Sequence, residues 1–341
     1  MNWETLQNLW FILIAVLFAG FLFLEGFDYG VGILLPFLGK SDQERRTIIN
    51  GIGPVWEGNE VWLLTAGGAM FAAFPNWYAT LFSGFYLALF LILIAMILRG
   101  VAFEFRSKDD NPTWRKFWDG ALFVGSLLPA LLWGVAFGNI VHGVAIDASM
   151  NYVGSFFDLL NPYALLGGIV TLTLFTLHGA LFLEMKVDGV LRERAARVAR
   201  QFWLPVTLLI VLFVVFSAFQ TDLFASQNLI IKLSALVLAV AGLLWAGFNI
   251  YRKRFGLAFT GISLTIVSVA ALLFGILFPR VMPSTLDPAF SLTIYNASSS
   301  QYTLSVMTVI ALTLVPIVIL YQGWTFYIFR KRLTLTSHLE Y

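Results

Sequence analysis

The stretch GPVWEGNEVWLLTAGGAMFAAF, residues 53–74, places two acidic side chains directly before an apolar run. Glu57 and Glu60 lie about one turn apart if the segment is helical, and Trp56 and Trp62 flank them. A charged side chain at the centre of a bilayer costs at least ~2.5–3.5 kcal/mol on insertion scales. Acid in this segment therefore needs a functional or structural reason if the chain crosses a membrane.

The composition of the whole chain indicates that it does. The 341 residues are 59% hydrophobic and 12% charged, whereas soluble domains carry about 25% charged residues. A hydrocarbon core roughly 30 Å thick needs about 20 apolar residues per helix. Nine apolar segments satisfy this requirement, at about 8–36, 54–73, 79–103, 117–141, 162–184, 202–219, 229–249, 256–279 and 304–328. We expect an all-α polytopic membrane protein with nine transmembrane helices.

These segments predict one integral membrane domain over residues 1–341, with no long soluble insertion. Helices 1–4 occupy about 8–141, helices 5–8 about 162–279 and helix 9 about 304–328. The echo between GFLFLE at 20–25 and GALFLE at 179–184 allows a repeat of four-helix units, or a chance match of leucine-rich sequence.

The basic residues predict the orientation of the helices. Nineteen of the 21 Lys and Arg residues lie at or after the ends of helices one, three, five, seven and nine, and only Lys232 and Arg280 fall elsewhere. Because positively charged loops stay in the cytoplasm, the N-terminus is expected outside and the C-terminus inside. An odd number of spans fits this pattern.

Cysteine and histidine limit the cofactors that this chain could bind. There is no cysteine, so thiolate metal sites and covalent haem attachment through a C-x-x-C-H motif are excluded. Haem b in a helix bundle needs His, or His with Met, on facing helices. Only His178 lies well inside a predicted span, whereas His142 is at an outer end and His338 is in the tail. We expect no redox centre on this chain.

Acidic residues recur in or beside the predicted spans, all toward the cytoplasmic side: Glu25, Asp28, Glu57, Glu60, Glu104, Asp119 and Glu184. Intramembrane carboxylates are typical of proton relays. The alternative is that they form structural ion pairs with Arg99, Arg106 or Lys108. This alternative is favoured for the three acids nearest the basic loops and least favoured for Glu57, which has no base in its own segment. We therefore predict that Glu57 handles protons from the cytoplasm.

Several motifs resemble those of subunit II of the cytochrome bd-type quinol oxidases. They are GFDYGVGILLPFLG at 26–39, the block around 45–75 that contains VWEGNEVW, SGFYLALFLILIAMILRGVAFEFRSK at 83–108 and WDGALFVGSLLPALLWGVAFGN at 118–139. The resemblance extends in order over residues 10–325. It implies two four-helix bundles plus one extra helix, packed against a larger subunit I.

The resemblance also implies the activity of the complex. Such an oxidase oxidises quinol, reduces dioxygen to water and is electrogenic without pumping, in the bacterial cytoplasmic (inner) membrane. Two b-type haems and one d-type haem are expected in subunit I, so this chain alone should be inactive and bind no haem. A structural quinone and a small single-helix subunit are further expectations that the sequence leaves open. The expected partners are subunit I, quinol and membrane lipid, and no nucleic acid.

By the same resemblance, Glu57 and Trp56 belong to a hydrophilic path from the cytoplasm toward the haems. The expected path residues are Glu57, Trp56, Glu25, Asp28, Glu60, Glu104 and Lys108, with the last two at its inner mouth. The family often carries Asp where this chain has Glu25 and Glu57, and Glu reaches one methylene farther. Trp62 matches a position associated in some members with an oxygen route. The sequence does not decide whether Glu57 or Glu25 dominates proton delivery.

Two rival functions remain open from the sequence. A proton-coupled secondary transporter also uses buried acids, but its substrate site lies near the midplane. A purely structural scaffold for subunit I would need none of the acids.

Overall fold

The computed structural model describes residues 1–225, 227–337, 339 and 341. His338, which the sequence places in the tail, lies outside the described residues. The described chain forms these α-helices: α1 Trp3–Leu38, α2 Asp42–Ile52, α3 Trp56–Ala73, α4 Pro75–Gly84, α5 Tyr86–Phe105, α6 Pro112–His142, α7 Pro162–Lys186, α8 Gly189–Gln220, α9 Leu229–Tyr251, α10 Phe255–Leu277 and α11 Gln301–Ile328.

Eight of these helices are long and apolar enough to cross a membrane: α1 and α5 to α11. They coincide with eight of the nine predicted segments, so the expectation of an all-α polytopic membrane protein is confirmed. The remaining segment, 54–73, is α3, which has 18 residues and carries Glu57 and Glu60 in its first turns. These two acids lower the mean hydropathy of α3.

Helix starts follow local capping chemistry. The Asn2 side chain accepts a hydrogen bond from the Thr5 amide at 2.8 Å at the start of α1. Ser41 and Glu44 form a reciprocal capping box at the start of α2. These side chains satisfy backbone N–H groups that have no partner inside the helix. The short polar loops therefore set where the helices begin.

Helix α1 is the central element, in contact with α3, α6, α7 and α10. Its crossing with α7 is so close that a Cβ atom on Gly30 would overlap the Phe175 carbonyl, and one on Gly179 would overlap the backbone of Gly30. Small residues let membrane helices approach to backbone contact. This crossing joins the two halves of the chain, α1 to α6 and α7 to α10.

Helix α11 lies at the periphery, against α1 and α3. Most of its apolar side chains are exposed, and only Leu304 and Thr308 are buried. The segment after its C-terminal end is attached to the rest of the fold. The Asp188 amide donates to the Leu333 carbonyl at 3.0 Å, and the Leu333 amide donates to the Lys186 carbonyl at 2.8 Å.

The loop between α10 and α11 departs from the purely helical expectation. It contains two short antiparallel strands, β1 Arg280–Met282 and β2 Leu292–Thr293. The loop covers the ends of α6 and α3, where the Val144 amide donates to the Pro283 carbonyl at 3.0 Å and the Ser299 amide donates to the Ala73 carbonyl at 2.8 Å. Pairing within the loop satisfies backbone groups that the helices cannot reach.

Candidate functional site

The candidate site is centred on Arg99, a fully buried side chain on α5. Its guanidinium forms an ion pair with Glu25 of α1, and its Nη1 lies 3.2 Å from Glu60 Oε2 of α3. The side chains of Arg99 and Glu25 are 0% exposed, whereas that of Glu60 is 20% exposed. A buried charge is tolerated only when it is paired, so this contact connects three helices through one cation.

Aromatic rings surround the cation. Arg99 Cζ lies 5.0 Å from the centre of the Tyr29 ring, 5.7 Å from that of Trp56 and 5.6 Å from that of Phe103. Trp56 and Phe103 are stacked at 4.6 Å. Ring faces attract cations, and they also keep water away. Trp56 therefore belongs to the wall around Arg99.

A directed chain of hydrogen bonds approaches the cluster from α11. Trp62 Nε1 donates to Gln322 Oε1 at 2.8 Å, Gln322 Nε2 donates to Asn59 Oδ1 at 3.0 Å, and Asn59 Nδ2 donates to Asp28 Oδ2 at 2.7 Å. Every donor in this chain is an N–H group, and neutral amides do not readily release protons. The chain therefore positions Asp28, while the carboxyl groups are the side chains able to carry protons.

Some polar atoms of the cluster have no protein partner. Among the described residues, Glu25 Oε2, Asp28 Oδ1 and the Nε and Nη2 atoms of Arg99 are buried without a hydrogen bond. Buried polar atoms almost always have a partner. The cluster thus keeps both accepting and donating capacity in the interior of the helix bundle.

Glu57 lies apart from this cluster. Its side chain is exposed on the first turn of α3, and it forms no hydrogen bond or ion pair within the described part of the chain. Glu60, one turn farther along, is the residue of this pair that contacts Arg99. The predicted patch of Glu57 and Glu60 is therefore divided between an outward-facing acid and a paired one.

Glu104 and Lys108, the predicted inner-mouth residues, are also exposed on the chain. The neighbouring Arg106 is buried instead, with its Nε 2.6 Å from Asp119 Oδ1 and its Nη2 2.9 Å from Asp42 Oδ1. Asp119 is thus in an ion pair with Arg106, which agrees with the alternative that the acids near the basic loops form structural ion pairs.

Glu184 is likewise paired, with Arg192 Nε at 2.7 Å from its Oε1. In the first turn of α2, Glu44 Oε2 lies 2.7 Å from Arg194 Nη1 of α8. Burial opposes ionisation of Glu44, but the Arg194 guanidinium and the Lys40 and Ser41 amides outweigh it and lower the pKa of Glu44. These pairs hold the basic loops against the helix ends.

An elongated groove of about 780 Å³ separates α3 from α5. Trp56 and Glu60 lie at one end, and Gly67, Gly68 and Phe90 line its length. Trp62 is not among the lining residues, because its indole turns toward Gln322. The groove can accommodate an apolar molecule beside the carboxylate of Glu60.

The structure offers few metal ligands. No group of three or more His, Asp or Glu side chains that could hold a metal ion occurs in the described residues. His178 is fully buried, stacked on Phe259 at 4.6 Å, with Nε2 at 3.3 Å from Ser263 Oγ. Its surroundings are otherwise aromatic, including Phe23 and Phe27.

Sequence reasoning missed two residues of the site, Asn59 and Gln322, and treated Arg99 only as a loop base or a partner for acids. Arg99 and Gln322 are polar side chains in otherwise apolar stretches, and Asn59 lies between Glu57 and Glu60. That signal was visible for Gln322, but the position of α11 beside α3 was not.

The family described as cytochrome bd terminal oxidase subunit II matches residues 6–329. The chain is 46% identical to cytochrome bd ubiquinol oxidase subunit 2 of Bacillus subtilis, over 98% of each protein. It is 38% identical to cytochrome bd-I ubiquinol oxidase subunit 2 of Escherichia coli K12, over 98% of this chain and 97% of that protein. Among solved structures, a chain of the bd oxidase from Geobacillus thermodenitrificans shares the fold, with a TM-score of 0.76, 18% identity and coverage of 96% and 100% of the two chains.

Proposed function

Because this chain belongs to the cytochrome bd terminal oxidase subunit II family, we propose that it conducts protons from the cytoplasm toward the oxygen-reducing site of subunit I. The chain is a subunit of a bd-type quinol oxidase, an oxidoreductase complex, and an integral membrane protein. It works in a complex with subunit I. Membership of this family argues against the alternative of a proton-coupled secondary transporter.

The proposed topology has nine crossings in the bacterial inner membrane, with the N-terminus outside. Helix α3 supports the ninth crossing because its ends reach opposite sides of the fold. Its Ala73 carbonyl bonds the Ser299 amide in the loop before α11. Near its other end, a Cβ on Gly53 would lie 2.5 Å from the Tyr341 ring of the C-terminal segment. Acidic and aromatic residues at the start of α3 make it less apolar without shortening this reach.

The observation that carries the proton route is the buried cluster of Glu25, Asp28 and Arg99. Two carboxyl groups lie together inside the bundle, and each keeps an oxygen without a protein partner. Arg99 holds Glu25 in place and Asn59 holds Asp28. Carboxyl groups with such spare oxygens can accept and release protons, directly or through water, once the helices are in the membrane.

Glu57 serves as the link to subunit I in this proposal. It is exposed on the same helix as Glu60, which contacts the buried cluster through Arg99. A carboxylate facing lipid is costly, so this face of α3 is better covered by a protein partner. Protons then pass between the subunits at Glu57. The exposed carboxylate of Glu104 attracts them near the inner surface, and Lys108 lies four residues along at the same mouth.

We place the two b-type haems and the d-type haem in subunit I. The enclosed aromatic setting of His178, without a facing His on the described helices, does not fit axial ligation of a haem iron. Haem in the partner supplies the electron transfer and oxygen chemistry. This chain holds and moves the protons.

The groove between α3 and α5 fits the expectation of a structural quinone. Its apolar length suits an isoprenoid tail, and Glu60 provides one polar contact at its end. A small single-helix subunit and an oxygen route at Trp62 stay predictions, because no contact among the residues that the structure describes marks either.

The test is oxygen consumption by the purified two-subunit complex, with quinol as the electron donor. Glu25→Gln and Glu57→Gln should lower turnover while the visible haem spectrum of the partner persists. Glu4→Gln, at the opposite end of α1, is the control and should change neither. Unchanged turnover in both test variants would favour the scaffold alternative, and a lost haem spectrum would indicate a role in assembly.

A further inference from the structure

A second groove, distinct from the proton cluster, lies between the middle of α1, the C-terminal ends of α7 and α11, the first turns of α10 and the segment that joins α2 to α3. It has a volume of about 390 Å³, within the range of roughly 300–1,000 Å³ that is typical of ligand pockets. Phenylalanine rings form its wall, contributed by Phe27, Phe182, Phe259, Phe326 and Phe329. Phe27 and Phe182 are stacked at 4.3 Å, so part of this wall is rigid.

Two cations lie at the rim of this aromatic groove. Lys186 ends α7 and Arg330 follows α11, and both side chains line the groove. No Asp or Glu side chain is among the described residues that line it. The Lys186 ammonium contacts the Phe329 carbonyl, and Arg330 Nη1 donates to the Tyr327 carbonyl at 2.5 Å. Each cation therefore keeps further N–H donors for a ligand.

The backbone holds these cations on adjacent segments. The Leu333 amide donates to the Lys186 carbonyl at 2.8 Å. The Arg332 guanidinium donates to the carbonyls of Glu184 and Val187 at 2.9 and 3.1 Å. The segment after α11 is thus fastened to the end of α7, which brings both cations to one opening.

We propose that this groove binds an anionic phospholipid, with its phosphate group between Lys186 and Arg330 and the start of an acyl chain among the phenylalanine rings. Basic pockets between membrane helices on the cytoplasmic side are suited to anionic head groups. The aromatic wall favours a lipid over free phosphate because it removes apolar surface from water. Two cations without a carboxylate favour a net negative head group over a zwitterionic one.

The experiment reconstitutes the two-subunit oxidase in phosphatidylcholine vesicles with a minor fraction of phosphatidylglycerol. Lipids retained after detergent extraction are counted by native mass spectrometry. Removing a cation near an anionic lipid should weaken retention of phosphatidylglycerol by about fivefold, so Lys186→Gln with Arg330→Gln should nearly abolish it. Lys331→Gln removes an exposed neighbouring charge outside the groove and is the matched control.

Two further variants keep the test decisive if the double variant assembles poorly. Arg330→Gln alone changes an exposed side chain and should still weaken retention of phosphatidylglycerol. Lys186→Arg keeps the positive charge and should retain as much phosphatidylglycerol as the unchanged protein. Equal phosphatidylglycerol retention in Arg330→Gln and Lys331→Gln would overturn the proposal. So would equal enrichment of phosphatidylcholine, or displacement of the lipid by inorganic phosphate, which would identify a free-phosphate site instead.

Discussion

Arg99 of α5 and Glu25 of α1 form a fully buried ion pair, although the two residues are 74 positions apart in the chain. The pair lies where the proton route is proposed, and Glu60 and the Tyr29 ring complete its surroundings. Breaking a buried pair by removing one partner leaves a charge without compensation. The stability of the bundle and the function of the cluster are therefore linked at this contact.

Arg99→Met should lower the free energy of unfolding by about 3–5 kcal/mol, because Glu25 is left buried without its cation. Adding Glu25→Gln to this variant should recover part of the loss. Thermal unfolding of the purified complex measures both effects. Arg115→Gln is the control, since this partly exposed partner of Asp42 should contribute only about 0–1 kcal/mol. Equal losses in Arg99→Met and Arg115→Gln would contradict the assignment.

Asn59→Leu should destabilise the complex by about 1–3 kcal/mol, because Asp28 and Gln322 both lose a buried hydrogen-bond partner. Quinol-driven oxygen consumption should also fall, since Asp28 is no longer held in position. Thr173→Val, which removes a hydroxyl that bonds only to its own helix, is a suitable control. Normal turnover with reduced stability would show that Asn59 is purely structural.

Glu57 should become inaccessible when subunit I binds. The chain has no cysteine, so a maleimide label found on this subunit after a single Glu57→Cys substitution marks that position alone. The label should react with the separated subunit and be blocked in the complex. Lys331→Cys, exposed after α11, should react in both. Equal labelling of Glu57→Cys in the two forms would place this face of α3 outside the interface.

The Glu44–Arg194 pair should make the stability of the complex depend on pH. The lowered pKa of Glu44 means that its contribution is present above the ordinary Glu value of about 4.3 and is lost as the pH falls through the lowered value. Arg194→Gln should therefore reduce the melting temperature at neutral pH, by an amount equivalent to at most about 1 kcal/mol for this partly exposed pair. The difference in melting temperature between Arg194→Gln and the unchanged protein should shrink as the pH falls. A constant difference at every pH would contradict the prediction.

Gly179→Leu should prevent the close crossing of α1 and α7, because its side chain would overlap the Gly30 backbone. Overpacking typically costs about 1–3 kcal/mol, and backbone cannot move aside as a side chain can. The yield of assembled complex and its melting temperature are the measurements. Gly120→Ala is the control, since a Cβ there meets nothing within 4 Å. Tolerance of Gly179→Leu would show that the crossing can open.

The sequence determined the class of protein and most of its helices. Apolar length alone predicted eight helices that the structure confirms, because a segment that spans lipid must satisfy its backbone internally. The grouping of Lys and Arg at alternate ends predicted a topology, and the motif around Glu57 indicated the family. Each of these properties depends on neighbours along the chain.

Only the tertiary structure decided which acids meet which bases. Glu57 and Glu60 look equivalent in the sequence, yet one is exposed and the other contacts Arg99. Gln322 reaches Asn59 from the far end of the chain. The cost of a buried charge depends on whether a partner lies within a few ångströms, and helix packing sets that distance. Composition therefore predicted the membrane protein, while contacts between distant residues defined its site.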